Sequence, residues 1–196
     1  MAWRNSRAAY GWAAIALHWI SAIGVTALYF LGDRVEEMTT RTDKLSATHL
    51  HVGVAVLLFT FLAARLLWSA SQPEPQALER RRSLRLLAWV VQKMFLLMIA
   101  LLLISGPLEI WSTGRAIEGF GGLALASPFA SRVAWLHEAA EFVHSSASKL
   151  FWPLIALHVA GALKHLVIDR DRTLQRMLWV RREARSPDRS GHPKPV

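Results

Sequence analysis

Four histidines recur at intervals of 7 or 14 residues in and just before the last apolar stretch of the sequence: His137, His144, His158 and His165. Separations of 7 and 14 residues return a side chain to nearly the same face of an α-helix, so the four form one stripe. The stripe is about 42 Å long, more than the roughly 30 Å of membrane hydrocarbon, which places His137 and His165 near opposite surfaces. His144 and His158, about 21 Å apart along the axis, are the inner pair and the candidates for binding a cofactor.

Histidines in two other apolar stretches match this inner pair in depth. His18 lies about 12 Å into the first stretch by helix rise, where it can face His158. His49 and His51 begin the second stretch, at the end that matches His144. They are about 200° apart on a helix, so only one of them can point at the axis of a helix bundle. The residues leave open whether His49 takes the place of His51, and whether His137 takes the place of His144.

Two imidazoles from different helices at each of two levels fit bis-histidine ligation of two haems. The sequence contains no cysteine, which excludes iron–sulfur clusters held by thiolates and covalent attachment of c-type haem. A zinc site would require further ligands or an open water position at each level, and no inward carboxylate is available to supply them.

Two basic residues within the apolar stretches have a functional and a structural interpretation. Arg65 follows His51 by 14 residues, the spacing that separates His144 from His158, so it lies at the depth of His18 and His158. Its guanidinium either pairs with a buried carboxylate or haem propionate or extends to the membrane surface. Lys149, between the two histidine levels, either attracts an anion or a quinone oxygen or extends to the surface in the same way.

The elements that must position these residues are four membrane-spanning helices. Of the 196 residues, 53% are hydrophobic, and the apolar ones are concentrated in stretches of the roughly 20 residues that a hydrocarbon core requires. The predicted spans lie near residues 10–31, 47–68, 86–108 and 144–168. Gly106 and Pro107 predict the end of the third helix. The pattern predicts an all-α, up-and-down four-helix transmembrane bundle over residues 1–172, followed by a basic, partly disordered cytoplasmic tail over residues 173–196.

The formal net charge of +9 is explained by membrane topology. Basic residues cluster before the first span, between the second and third spans, and after the fourth span. By the positive-inside rule both termini are cytoplasmic and the other two loops face the opposite side. The charge therefore indicates attraction to anionic membrane lipid, and it does not indicate nucleic-acid binding.

With these motifs the sequence resembles the bacterial cytochrome b561 family of four-helix, dihaem inner-membrane proteins. The segments that carry the resemblance are ALHWISA at 16–22, HVGVAVLLFTFLAARLLW at 51–68, SGPLEIWSTGRAIEGFGG at 105–122 and HSSASKLFWPLIALHVAGALKHLVIDRD at 144–171. The resemblance implies that His18 and His158 hold a cytoplasmic-side haem b, and that His51 and His144 hold a periplasmic-side haem b.

The resemblance also implies electron exchange with ubiquinone, and one type of relative oxidises superoxide and passes the electron to ubiquinone. The chain departs from the family pattern in the second helix. A glycine often follows the family's ligand by four residues, whereas Ala55 follows His51 and Gly53 follows His49 at that distance. His49 therefore stays open as a ligand in place of His51.

Two other functions fit the same sequence. One is a cytochrome b subunit that links the quinone pool to a partner dehydrogenase or hydrogenase. The other, from a different class, is a haem-free membrane anchor or a transporter that uses histidines as a proton relay. We expect superoxide oxidation coupled to ubiquinone reduction as the leading activity, in a multi-pass protein of the bacterial inner membrane.

Overall fold

Four long helices make up most of the computed structural model, which describes residues 3–79 and 81–178. They are α1 (Trp12–Glu37), α2 (Arg41–Ser71), α3 (Arg82–Trp111) and α4 (Ala134–Val167). Each helix is long and apolar enough to cross a membrane. The predicted all-α fold with four spans is confirmed, while the cytoplasmic position of the termini stays a prediction.

The helices extend beyond the apolar stretches that predicted them. Helix α4 begins at Ala134, ten residues before His144, and α2 begins at Arg41, six residues before Ala47. Hydropathy marks the part of a helix that lies in hydrocarbon, and residues with good helix propensity continue the helix into the polar region on either side. At the start of α2 the Thr40 hydroxyl accepts a hydrogen bond from the backbone N–H of Asp43 at 3.1 Å.

The predicted end of the third helix at Pro107 is wrong, because α3 continues through Pro107 to Trp111. A proline in a helix lacks the backbone donor and its ring crowds the carbonyl four residues earlier, but the hydrogen-bond ladder resumes beyond it. The backbone N–H of Ser112 donates to the carbonyl of Leu108 at 2.9 Å. In a membrane bundle, groups on neighbouring helices can satisfy the backbone carbonyl that a proline leaves without a donor. Proline is more frequent in transmembrane helices than in soluble ones.

The four helices pack as two hairpins. Helix α1 packs along α2, and α3 packs along α4. The hairpins meet where α2 contacts α3, and α4 has little backbone contact with either α1 or α2. The buried apolar cluster near the middle of the bundle consists of Val25, Leu62, Met98, Ile99, Ala147 and Phe151. This arrangement leaves a seam between α4 and the first hairpin.

Large apolar side chains cover the outer surface of the helices. Leu67 is 71% exposed and Phe142 is 73% exposed, which would be unfavourable in water but suits contact with lipid tails. The helices are therefore apolar on their outward as well as their inward faces. Such a surface is expected of a bundle surrounded by hydrocarbon.

The end of the bundle that carries residues 112–133 is called here the loop end. Strands β1 (Ile117–Glu118) and β2 (Ala124–Leu125) pair antiparallel around a 3₁₀ turn, Phe120–Gly122. The Phe120 ring rests on Gly53 of α2 so closely that a Cβ there would lie 2.5 Å from the ring. The loop is thus folded onto the bundle.

The opposite end, which carries the start of α1 and the end of α4, is called the terminal end. A short helix, α5 (Gln175–Leu178), lies within the predicted tail. The Trp19 indole N–H donates to the carbonyl of Met177 at 2.8 Å, and the Arg176 guanidinium donates to the carbonyl of Gln76 at 2.8 Å. Residues 173–178 therefore fold back onto the bundle, and the rest of the predicted tail, residues 179–196, lies outside the described residues.

Candidate functional site

Two pairs of imidazoles face each other across the seam between α4 and the first hairpin. The terminal pair consists of His18 on α1 and His158 on α4, with ring centres 6.2 Å apart and ring planes inclined at 53°. The Phe95 ring of α3 lies against His158, with centres 5.5 Å apart. All three side chains are partly buried.

The loop pair consists of His51 on α2 and His144 on α4. Their ring centres are 6.4 Å apart and their planes are inclined at 79°. The Ser105 hydroxyl of α3 lies 3.1 Å from Nδ1 of His144. The Nδ1 atom of His51 is buried and has no hydrogen-bond partner among the described residues. The structure therefore brings together the four histidines that the sequence singled out, in the two predicted combinations.

The ring separations fit a metal ion held between two imidazoles. With a metal–nitrogen bond of about 2 Å and each nitrogen about 1 Å from its ring centre, two axial imidazoles stand about 6 Å apart between centres. The measured 6.2 and 6.4 Å agree with that value. The donor set also fits a haem, because neutral imidazoles complete the axial coordination of iron that a porphyrin already holds.

Glycines make room for both rings of the loop pair. A Cβ at Gly32 of α1 would lie 3.4 Å from the His51 ring, and one at Gly106 of α3 would lie 3.3 Å from the His144 ring. Both distances are at the short end of ordinary carbon contacts, so a side chain at either position would press on the imidazole. Small residues let neighbouring helices approach closely in membranes, and here they leave room for the two imidazole rings.

Arg65 of α2 lies at the terminal level. Its charge acts on both His18 and Tyr10, which places the guanidinium near both side chains. Among residues 3–79 and 81–178, no carboxylate forms an ion pair with this partly buried cation. A buried guanidinium without an anion is costly, so the site suits an added anionic group such as a haem propionate.

The remaining histidines within the described residues have other surroundings. His49 is exposed, and the position four residues on, Gly53, receives the Phe120 ring of the loop. It is the ring of His51 that faces His144. The glycine four residues after His49 is therefore explained by the room that the Phe120 ring of the loop needs.

His137 and His165 lie near opposite ends of α4, as the depth of the stripe predicts. His137 Nδ1 lies 3.0 Å from the Glu109 carbonyl and 3.4 Å from the Ser112 hydroxyl. His165 Nδ1 lies 2.8 Å from an Asp171 carboxylate oxygen. Each already has protein partners, and neither faces a second imidazole in the part of the chain that the structure describes.

Glu79, His165 and Asp169 bring possible ligand atoms to within 4.8 Å of one another at the terminal end. The Lys164 ammonium contacts both carboxylates, at 2.7 Å from Glu79 and 2.5 Å from Asp169. The Lys164 ammonium, together with the His165 imidazole 3.0 Å from Asp169, links the acids in an ion-pair network.

The sequence did not single out the three α1 and α3 residues that contact the loop pair, Gly32, Ser105 and Gly106. The adjacent small residues in "SGP" are the signal that could have found two of them. Small and hydroxyl side chains at one point of an apolar helix mark close approach to, and hydrogen bonding with, a neighbouring helix. The ligand roles of His18, His51, His144 and His158, and the anion-binding role of Arg65, stay predictions.

Comparison with known proteins agrees with this geometry. A family model described as prokaryotic cytochrome b561 matches residues 9–179, which includes all four long helices. The chain is also similar to cytochrome b561 homolog 2 of Escherichia coli (strain K12), with 31% identity over 183 residues. That alignment covers 91% of this chain and 95% of the relative.

Proposed function

This chain belongs to the prokaryotic cytochrome b561 family, and from that premise we propose that it is a dihaem cytochrome that oxidises superoxide and reduces ubiquinone. Family membership makes it a b-type cytochrome that transfers electrons as a multi-pass protein of the bacterial inner membrane. A haem-free anchor or proton-relay transporter does not agree with that membership. We propose, beyond family membership, the number of haems, the substrates and the ligand residues.

The observation that carries the proposal is the presence of two facing imidazole pairs along one helix. His18 and His158 would hold one haem b, and His51 and His144 would hold the other. Each haem, when bound, supplies a one-electron redox centre. A haem held by two imidazoles would leave no open position on its iron, so oxygen species and quinone would exchange electrons without binding the metal.

Helix α4 supplies one ligand to each level and so fixes the spacing between them. The separation of His144 from His158 corresponds to about 21 Å of helix rise. Electron transfer through the bilayer requires such a fixed relay, because charge is costly to move through hydrocarbon unaided. Packing of α3 along α4, with Phe95 and Phe151 in contact at 5.3 Å between ring centres, keeps the intervening segment rigid.

We place the terminal end at the cytoplasm and the loop end at the periplasm. Exposed basic residues at the terminal end support this orientation under the positive-inside rule: Arg4, Arg7, Arg81, Arg82 and Arg85. At the loop end, the exposed side chains of Arg115 and Arg132 would attract an anion such as superoxide. At the terminal level, Arg65 would bind a propionate of the haem held by His18 and His158.

The proposed reaction balances in electrons and protons. Two superoxide anions each lose one electron and become dioxygen at the loop end. One ubiquinone takes up the two electrons and two protons and becomes ubiquinol at the terminal end. No covalent intermediate with the protein is required, so the chain's task is to hold the cofactors, separate the two half-reactions and exclude water from the path between them.

The proposal is tested by rapid mixing of the purified, haem-replete protein with superoxide, followed by addition of a short-chain ubiquinone. We expect the b-type absorbance of reduced haem to appear after mixing with superoxide and to disappear when quinone is added. The matched control is His144→Ala, which should lose reduction by superoxide while dithionite still reduces the remaining haem. Protein that dithionite reduces but superoxide does not would overturn superoxide as the donor.

A cytochrome subunit that serves a partner dehydrogenase or hydrogenase is the alternative that this experiment separates. Such a subunit would exchange electrons with quinone and fail to react with superoxide. Co-purification with a second redox protein would then identify the donor.

A further inference from the structure

Ser105 is the one hydroxyl in contact with a member of either imidazole pair among the described residues. It is 3% exposed, lies on α3, and its Oγ is 3.1 Å from Nδ1 of His144. Within residues 3–79 and 81–178, neither His18 nor His158 has a hydrogen-bond partner. The two levels therefore differ in what surrounds their ligands.

The contact determines which nitrogen of His144 is available to a metal. With Nδ1 engaged by Ser105, Nε2 is the ring nitrogen left free to face the seam. A neutral imidazole that binds a metal through Nε2 carries its proton on Nδ1, so Nδ1–H donates to the Ser105 hydroxyl oxygen. Such a bond fixes the ring orientation and makes the ligating nitrogen more basic.

We propose that Ser105 is a positioning residue that orients His144 and makes the loop-level haem the lower-potential centre of the two. This inference rests on the proposed binding of a haem between His51 and His144. A more basic axial imidazole stabilises ferric over ferrous iron, which lowers the reduction potential.

The terminal level has the opposite surroundings. His158 packs against Phe95, and the Arg65 cation lies near His18. A nearby positive charge stabilises the reduced state of a centre, and an apolar neighbour contributes no hydrogen bond that would increase ligand basicity. The two levels together make electron flow downhill from the loop end to the terminal end, the direction that the proposed function requires.

The test is a redox titration of Ser105→Ala in protein that also carries His158→Ala, so that only the loop-level haem is observed. We expect the midpoint potential to become more positive than in His158→Ala alone. Ser105→Thr keeps the hydroxyl and should keep the original potential. The matched control is Ser21→Ala, since Ser21 is also buried in a helix but its hydroxyl has no hydrogen-bond partner within the described part of the chain.

An unchanged or more negative potential in Ser105→Ala would overturn the inference, as would an equal shift in Ser21→Ala. If Ser105→Ala cannot retain the loop-level haem, the haem-to-protein ratio is measured in the otherwise unmodified chain. Selective loss of one haem, restored by Ser105→Thr, supports orientation of His144 by the hydroxyl, and loss that threonine does not restore contradicts it. Purified protein without any b-type spectrum would instead refute the proposed function itself, while a potential shift without superoxide activity would leave the inference standing.

Discussion

The terminal pair and the loop pair have nearly the same ring separation, 6.2 and 6.4 Å, and each takes one imidazole from α4. Their surroundings differ. At the loop pair, the Ser105 hydroxyl contacts His144, and Gly32 and Gly106 leave no room for a side chain against the rings. The terminal pair is enclosed by an aromatic ring, Phe95, and by the charge of Arg65.

Equal ring separations therefore do not mean equal surroundings. Steric fit and a hydrogen bond act at the loop level, so ring orientation there depends on α1 and α3. The charge of Arg65 acts at the terminal level, so under the proposed function the energy of an added electron there depends on α2. Substitutions at the two levels can test this division between steric control and electrostatic control.

Removal of a ligand should have the largest effect, and it should be confined to one level. His158→Ala and His144→Ala should each lower the haem-to-protein ratio from two to one, because the opposite level keeps both of its imidazoles. Haem content per chain is measured by the absorbance of its pyridine complex. His137→Ala is the control and should retain both haems, since His137 bonds to the Glu109 carbonyl and faces no second imidazole. Loss of a haem from His137→Ala but not from His144→Ala would refute the assignment of the loop pair.

Added volume at the loop level should weaken haem binding there alone. Gly106→Ala places a methyl group 3.3 Å from the His144 ring, and overpacking of this kind costs about 1 to 3 kcal/mol. Titration of the haem-free protein with haem should show one weakened site and one unchanged site. Gly161→Ala on α4 is the matched control, because an added Cβ there meets no described atom within 4 Å beyond its own stretch of helix. Equal weakening by the two substitutions would mean that Gly106 does not act through His144.

Loss of the cation at the terminal level should shift one potential without loss of haem. Arg65→Gln removes a positive charge near His18, so the reduced state of the terminal-level centre loses stabilisation on the order of 1 kcal/mol. A redox titration should show that the higher midpoint potential falls and the lower one is unchanged. Arg65→Lys keeps the charge and should largely keep the potential. A shift confined to the lower potential would reverse the assignment of the two levels.

The smallest effect concerns stability at the terminal end, away from both pairs. A hydrogen bond from Lys164 lowers the pKa of Glu79 below its ordinary value of 4.5, assisted by the backbone N–H of Arg81. Because the folded-state pKa is the lower one, the stabilising contribution is complete above pH 4.5 and is lost as the pH falls through the folded-state pKa.

Glu79→Gln should therefore lower the Tm slightly at neutral pH, and its difference from the original protein should shrink in acid. Thermal unfolding in detergent from pH 7 to pH 3 measures this, with haem content as a second reading that should not change. Glu74→Gln, which removes the exposed partner of Lys93, is the control and should have little effect at any pH. A Glu79→Gln difference that grows in acid would contradict the ion-pair assignment.

The number of spans could be predicted from sequence because twenty apolar residues have few alternatives to a membrane helix. The ends of the helices could not be predicted, because hydropathy does not measure helix propensity or packing. Helix α4 begins in the polar residues before His144, and α3 continues past Pro107. The pairing of His18 with His158 followed from depth alone, since helix rise fixes depth.

The choice between His49 and His51 did not follow from sequence. It depends on how far α2 is rotated about its axis. That rotation is fixed by two tertiary contacts: the Phe120 ring packs on Gly53, and Gly32 lies close to the His51 ring. Ser105 was missed for the same reason. Its contact with His144 joins residues 39 apart, and a hydroxyl in an apolar helix has many possible partners until the neighbouring helix is in place.

Among the described residues, α4 is the last long helix in chain order, and it contributes an imidazole to both pairs. Until α4 has entered the membrane, His18 and His51 each stand alone on the first hairpin and neither pair is complete. If the two pairs hold the haems, as proposed, haem insertion follows synthesis of α4. A chain that stops before α4 would then have no complete haem site and could not become a half-active, electron-leaking cytochrome.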